Sequence, residues 1–593
     1  MNRQHHGNTF FLFIFVLLKI SEIEKIFFQT TFHINSENCK KERLLNMFIY
    51  SADYDGQKAP VRVCVEDVYF TMRDGVKLYG MYLHPEGVEK TPIVFIRSPY
   101  VSNDVQYHVM LKYHYAMMAK GYSVFLQHCR GCGRSEGLCE PYVQEHNDGL
   151  DSLAQIRNLA TYNGEIYLQG GSYLSAVHLA YLGDLPDDVK GAYLTVMDIN
   201  RYNIMYRNGF FKAGLHGQWF SSVYAMNSLS SRNFVQDQFR TLPLINMSEI
   251  VFGEKVPVFD EPLLHPDPKD PYWHDTEGFG CYLTALTNSK IPVMLVASMQ
   301  DLFTGGMFDM WNSLSPERRK NCAIVVTPFD HPFVYTPSSP VHFQNADLNE
   351  LMPDADLAWF EHIRNNTPVE FAEPGKLKYY TAYDCSWRST DRFEDAAGEL
   401  KFFLTSKRTL VTEADNLSEN GTISYTYNPF APAVFKGGCS GKFGGVAVQD
   451  PPNSRYDIIS FQSEPLQKTC VVRGKGRVKL KVKSNCEDTC FYVRFSLVKE
   501  GVPYGLRDDI ISISFQHGDY IPNSEVDLDF EFDPHAFRLL PGDRIRLDIS
   551  SSAWPYFVPH TNNKGPYALQ TTAKPAINSI ITEGCVFTLP VEE

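Results

Sequence analysis

Ile166-Tyr167-Leu168-Gln169-Gly170-Gly171-Ser172-Tyr173-Leu174 decides how the rest of this chain is read. A short apolar run stops at two glycines and a serine, and a helical apolar pattern from Leu174 to Leu182 follows. A serine on a sharp strand-to-helix turn has its hydroxyl thrust above the sheet edge. Small residues before it permit the bend, and the amide after it points into the same space. Taken alone, a Gly-Gly turn that happens to precede serine would leave the same letters, and Leu174 stands where such turns usually end in glycine.

Working outward, similar buried runs occur at Pro92–Ile96, Tyr122–Leu126, Ala192–Val196, Ile291–Ala297 and Ala323–Val326. Helical stretches such as Gln106–Met118 and Asn147–Leu159 separate most of them. Short apolar runs between helices predict buried parallel strands of an α/β sheet. Ahead of them, Val61–His84 alternates in two arms around Arg73-Asp74-Gly75, the pattern of a hairpin. Ile199–Lys290 is too long for one crossover, aromatic-rich and broken by prolines, and predicts an inserted helical lid. After Pro374, short alternating strands recur between Gly, Pro and Asn turns, beginning with Leu377–Tyr383. That spacing predicts a β-sandwich or jelly roll.

The expected organisation is therefore an N-terminal extension over 1–46 outside the fold, an α/β-hydrolase fold split between 47–198 and 291–373, a helical lid over 199–290, and a jelly roll over 374–593. The extension holds a short apolar run, Thr9–Ile20, with no small-residue cleavage site behind it. It reads as an upstream extension before Met47, with a signal or anchor as the alternative.

The chain has 593 residues, 44% of them hydrophobic and 21% charged, with 55 basic and 69 acidic side chains. That composition excludes a mainly disordered chain. A formal charge of −14 argues against nucleic acid as a partner. No apolar run is long enough to span a bilayer, so no stable membrane partner is expected. Thirteen cysteines without framework spacing fit a reduced, cytoplasmic protein. Cys129 and Cys132 form a C-x-x-C, but with no second pair at zinc spacing they are not read as a metal or redox site. A homo-oligomer is compatible with all of this.

A serine nucleophile needs a base and a group that orients the base, and in α/β-hydrolases the chain order is Ser, acid, His. Asp301 follows the run Ile291–Ala297, and His331 follows Ala323–Val326. Loops at the carboxyl ends of parallel strands are where such sheets build sites. Asp309 and Asp330 are rival acids, the first within a predicted helix and the second adjoining the histidine.

Further landmarks are Met72-Arg73-Asp74-Gly75-Val76-Lys77-Leu78, Arg97-Ser98-Pro99-Tyr100, and Gln127 followed by Arg130-Gly131-Cys132-Gly133-Arg134-Ser135-Glu136-Gly137. Gly171-Ser172-Tyr173, Asp270-Pro271-Tyr272-Trp273, Gly437-Gly438, Arg455-Tyr456-Asp457 and Ser550-Ser551-Ser552 complete the set. With these, the chain from about Val65 onward resembles the cocaine esterase-like (CocE/NonD) hydrolases, related to the Xaa-Pro dipeptidyl-peptidases and the α-amino-acid ester hydrolases. The resemblance implies a Ser172–His331–Asp301 triad, an oxyanion hole from the Tyr100 hydroxyl and the Tyr173 amide, and Phe303 against the acyl group. It implies no cofactor and no metal. His128, Cys129 and Cys132 depart from the family pattern, in a loop where Arg130 and Arg134 are expected to pair with Glu136, Glu145 or Asp148.

The lead expectation is a serine carboxylic-ester hydrolase acting on a small-molecule acyl ester or amide. A dipeptidyl-peptidase is the alternative, for which Asp237, Glu249 or Glu254 would have to hold a substrate ammonium. A non-catalytic glycan binder using Trp387, Tyr504, Tyr520 and Trp554 is a third reading.

Overall fold

The computed structural model describes residues 62–592 except 101–113, 228–239, 275–279, 332, 334–340, 342, 413–419, 435 and 439–444, together with two short strands at Asp53–Tyr54 and Gln57–Lys58. The expected extension over 1–46 lies outside the described residues, as does most of Gln106–Met118, of which 114–118 are described and helical.

Arg73-Asp74-Gly75 turns the chain between β1 (Val63–Thr71) and β2 (Lys77–Pro85), which pair antiparallel with Thr71 opposite Lys77. Gly75 takes φ +89°, open to glycine at no steric cost, and the Asp74 carboxylate accepts the Val76 N–H at 3.2 Å. The predicted buried runs become β3 (Thr91–Ser98), β4 (Ser123–His128), β5 (Tyr162–Gly171), β6 (Val189–Thr195), β7 (Val293–Ser298) and β8 (Cys322–Thr327). Every residue of β3, β4, β7 and β8 is buried, which is why these strands read as continuous apolar runs.

The sheet order is β1-β2-β4-β3-β5-β6-β7-β8, extended by β9 (Leu377–Thr381) and β10 (Ser386–Thr390). Neighbours from β4 to β9 are parallel. The chain leaves β3 to one side for β4 and returns on the other as β5, so the strand order reverses at β3. Such a switch point opens a crevice at the carboxyl ends of the strands. Helices α1 (Glu145–Ile156) and α2 (Tyr173–Leu179) cover this region.

One expectation is corrected. Leu377–Tyr383 was read as the first strand of the C-terminal β region, but Leu377–Tyr379 pairs parallel with Ile324–Val326 of β8. Its alternation (Leu377 buried, Lys378 half-buried, Tyr379 buried) is that of an outer strand of a mixed sheet, which local sequence does not distinguish from a sandwich strand.

Between β6 and β7 the chain forms short helices, including Arg201–Met205, α3 (Gln218–Asn227) and Met247–Phe252. Five prolines between Pro257 and Pro271 keep the later ones to single turns. Their apolar faces share a cluster, with Phe211, Phe220, Phe252, Phe259 and Trp273 packed against Trp554 and Val558 of the C-terminal region.

From Gly398 onward, thirteen strands among the described residues join in one hydrogen-bonded system. Its spine is Ala576–Glu592, which pairs with Gly398–Leu404, Thr422–Tyr427, Cys470–Gly474 and Arg477–Ser484. Within it, Gly584 takes φ +83° near a register shift opposite Lys479–Lys481.

Two arginines lock the parts together. Arg207 of the insert bonds the carboxylates of Asp509 at 2.7 Å and Asp533 at 3.0 Å. Arg507, fully buried, donates to the carbonyls of Pro534 at 2.8 Å and of Met299 just beyond β7.

Candidate active site

Ser172 follows β5 and caps α2 with φ +56° and ψ −126°, a strained conformation for a residue with a side chain. Its N–H donates to the Thr195 carbonyl of β6 at 2.9 Å, which pins the turn. Gly170 is required here, since a Cβ would lie 2.0 Å from the Leu174 carbonyl oxygen. Leu174 meets no such crowding and packs its side chain between two apolar clusters, so glycine is not needed there.

The fold brings Ser172, His331 and Asp301 together. Ser172 Oγ is 2.9 Å from His331 Nε2, and His331 Nδ1 is 2.8 Å from Asp301 Oδ1. All three are buried, Asp301 completely. A carboxylate on Nδ1 selects the tautomer with its proton there, leaving Nε2 to accept from the serine hydroxyl. Asp309 lies on the exposed face of α4 (Thr304–Ser313), and the His331 Nδ1 partner is Asp301 rather than Asp330. The Asp301 loop is held from both sides: Thr304 Oγ1 donates to the Asp301 carbonyl at 2.6 Å, and Arg507 holds Met299 from the C-terminal region.

Tyr100 stands two residues past β3 with its hydroxyl within hydrogen-bonding reach of Ser172. Burial pushes the phenol well above its usual range, so it stays a proton donor. Trp219 Nε1, from α3, donates to the Tyr100 oxygen at 2.8 Å. Tyr173 opens α2, where the first amides of a helix lack intrahelical acceptors. Its side chain is firmly held: the hydroxyl donates to Glu145 Oε1 at 2.6 Å and accepts the Tyr142 N–H at 2.9 Å. Glu145 is in turn paired with the fully buried Arg97 at 2.7 Å. Phe303 sets its ring edge-on to His331, with centroids 5.6 Å apart.

Trp219, Arg97, Tyr142 and Arg507 were not among the candidates drawn from the sequence, and Glu145, expected to pair with Arg130 or Arg134, pairs with Arg97. Arg97 stands in a motif quoted there, but no local signal names its partner. Nearby, Arg130 pairs with Asp148 at 2.6 Å and Asp74 at 2.8 Å, meeting one of the acids expected for it. Arg134 departs from expectation: it pairs with Asp67 at 2.9 Å and lies 4.0 Å over the Tyr79 ring. The Tyr79 ring meets His128 edge-on at 4.6 Å. Burial, and then the Arg134 charge, push the His128 imidazole down to about 4, so the residue that departs from the family pattern is neutral. No cluster of side chains suited to a metal ion occurs among the described residues.

Residues 74–332 match the family model X-Pro dipeptidyl-peptidase (S15 family), and residues 365–585 match X-Pro dipeptidyl-peptidase C-terminal non-catalytic domain. The chain carries an S15-type domain followed by an X-Pro dipeptidyl-peptidase-type C-terminal domain, which supports its likeness to the cocaine esterase-like hydrolases. Cocaine esterase of Rhodococcus sp. (strain MB1 Bresler) is 24% identical over 545 residues, covering 85% of this chain and 93% of that protein. Among solved structures, an aminopeptidase from a marine sediment archaeon (Thaumarchaeota) superposes with TM-score 0.77 at 17% identity, covering 95% of this chain and 99% of its own. An α-amino acid ester hydrolase superposes with TM-score 0.75 at 17% identity, covering 93% and 99%. These relatives are named as ester or peptide hydrolases, and the likeness supports enzyme status for this chain.

Proposed function

We propose that the protein cleaves carboxylic esters through an acyl-enzyme on Ser172. The reading rests on one observation, the unbroken hydrogen-bonded line from Asp301 through His331 to Ser172. Ser172 Oγ attacks the acyl carbon as His331 Nε2 takes its proton. The imidazolium, held by Asp301, gives that proton to the leaving alcohol, and water repeats the sequence to release the acid. The Tyr173 N–H and Tyr100 O–H are the donors for the oxyanion. The insert over 199–290 acts as a lid, and the C-terminal domain as a jelly-roll support.

An apolar, uncharged acyl group suits the surroundings. Asp301 is followed by Leu302, Phe303 and Thr304, all buried and none acidic. Two of the insert acids weighed for an ammonium, Glu249 and Glu254, are exposed, and Glu254 accepts from Tyr224; Asp237 lies outside the described residues. A buried ammonium without a carboxylate would be costly.

The second reading is an Xaa-Pro dipeptidyl-peptidase, favoured by the name of the matching family model. Glycan binding has little support. Tyr520 and Trp554 are buried, and Trp387 belongs to β10, its indole N–H bonded to the Asn345 carbonyl at 2.7 Å.

The deciding assay sets a 4-nitrophenyl acyl ester series against Gly-Pro-4-nitroanilide, in wild type and Ser172→Ala. Ester turnover that vanishes in the variant, with the anilide inert, is the expected outcome. Anilide cleavage would move the activity to the peptidase, and turnover untouched by Ser172→Ala would remove the nucleophile.

A further inference from the structure

The sequence couples Cys132 to Cys129, but the fold gives it another neighbour. Cys132 Sγ lies 3.6 Å from Cys139 Sγ. The backbones behind the two thiols are in contact: a Cβ on Gly131 would fall 2.1 Å from the Cys139 nitrogen and 2.2 Å from the Leu138 carbonyl carbon. The Gly131 N–H also donates to the Glu136 carbonyl at 2.9 Å, closing the loop between the two cysteines. A disulfide needs sulfurs about 2.05 Å apart on neighbouring chain segments. Rotating the Cys139 side chain between staggered positions supplies movement of that size without displacing the backbone.

We propose that Cys132 and Cys139 are a redox-active dithiol, a covalent modification site that closes to an intramolecular disulfide on exposure to a low-molecular-weight disulfide. Cys139 is the entry point, because it is partly exposed whereas Cys129 and Cys132 are buried. Its thiolate attacks one sulfur of the oxidant, whose S–S bond breaks to release one thiolate. Cys132 then loses its proton and attacks the Cys139 sulfur, and the mixed disulfide breaks to release the second thiol. Two protein S–H bonds and one oxidant S–S bond become one protein S–S bond and two oxidant S–H bonds. The contact with Cys139, and then burial, push the Cys132 thiol well up, which leaves the first attack to Cys139. Three residues beyond Cys139, Tyr142 bonds the Tyr173 hydroxyl, so the bridge sits beside the candidate active site.

The test equilibrates the full chain with graded ratios of oxidised to reduced glutathione near neutral pH, then quenches with acid. Alkylation with N-ethylmaleimide and peptide mass mapping follow. As the ratio rises, the Cys132 and Cys139 peptides should lose two hydrogens and two alkylatable thiols, and Cys129→Ser should leave this unchanged. Cys132→Ser should leave Cys139 as a glutathione mixed disulfide. Cys139→Ser should leave Cys132 unmodified until the protein is denatured. Alkylation of both thiols at every ratio would overturn the proposal, as would a Cys129–Cys139 bridge in the wild type. The assay uses no substrate, so its outcome is separate from that of the hydrolase reading.

Discussion

The indole N–H of Trp219 donates to the phenol oxygen of Tyr100 at 2.8 Å, across 119 residues of chain. That bond fills an acceptor position on the phenol and leaves its own O–H to donate elsewhere. A hydroxyl that accepts one hydrogen bond donates the next more strongly. Tyr100→Phe keeps the ring and removes the donor, so kcat on 4-nitrophenyl esters should fall roughly 10²–10³-fold with little change in KM. Trp219→Phe removes only the supporting bond and should cost about fivefold. An unchanged kcat in Tyr100→Phe would take Tyr100 out of the oxyanion site.

Asp301→Asn should lower kcat by about 10⁴ while leaving circular dichroism unchanged, because the amide favours the wrong imidazole tautomer. Arg507→Lys tests the support from the C-terminal domain. Losing the guanidinium bonds to the Met299 and Pro534 carbonyls should let the Asp301 loop shift and cost on the order of 10²-fold in kcat. Full activity in Arg507→Lys would make that contact purely architectural.

Glu145→Gln leaves the buried Arg97 guanidinium half compensated, and should destabilise the fold by about 3 kcal/mol, read as a lower urea midpoint. Tyr173→Phe removes two hydrogen bonds without uncovering that charge and should cost about 1–3 kcal/mol. Equal midpoints for Glu145→Gln and wild type would contradict the buried pairing.

His128 makes stability depend on pH. The unfolded imidazole titrates near 6.5, the folded one near 4, so between them only the unfolded chain takes the proton. The contribution is complete above about pH 6.5 and is lost as the pH falls toward 4. Asp198, pushed up to about 7 by burial, works in the opposite sense, so the useful quantity is the difference between variant and wild type. Scans of Tm between pH 7 and 4 should show a shallower decline in His128→Asn than in wild type. Parallel profiles would place the acid sensitivity elsewhere.

Local pattern carried much of the fold. The apolar runs of β3 to β8 reflect burial on both faces, and the Gly170-Gly171-Ser172 turn reflects a backbone approach that a Cβ at Gly170 would block. Both are properties of neighbouring residues, so they stand in the letters. The Ser, Asp, His order followed as well, because each residue stands just past the end of its strand. Leu377–Thr381 and Ala576–Glu592 were not legible: which sheet a strand joins, and whether a glycine makes a turn or a bulge, depend on partners far along the chain.

By itself, the sequence determined the strand-turn-helix unit, the alternation of strands and helices, and the ends of the strands from which Tyr100, Ser172, Asp301 and His331 project. Only the tertiary structure decided what meets them: Trp219 on Tyr100, Glu145 and Arg97 behind Tyr173, Arg507 against the Asp301 loop, and Cys139 rather than Cys129 against Cys132. Periodicity and turn chemistry act over a few residues. These pairings instead depend on how whole elements pack, and they are set by distances that close only when the chain has folded.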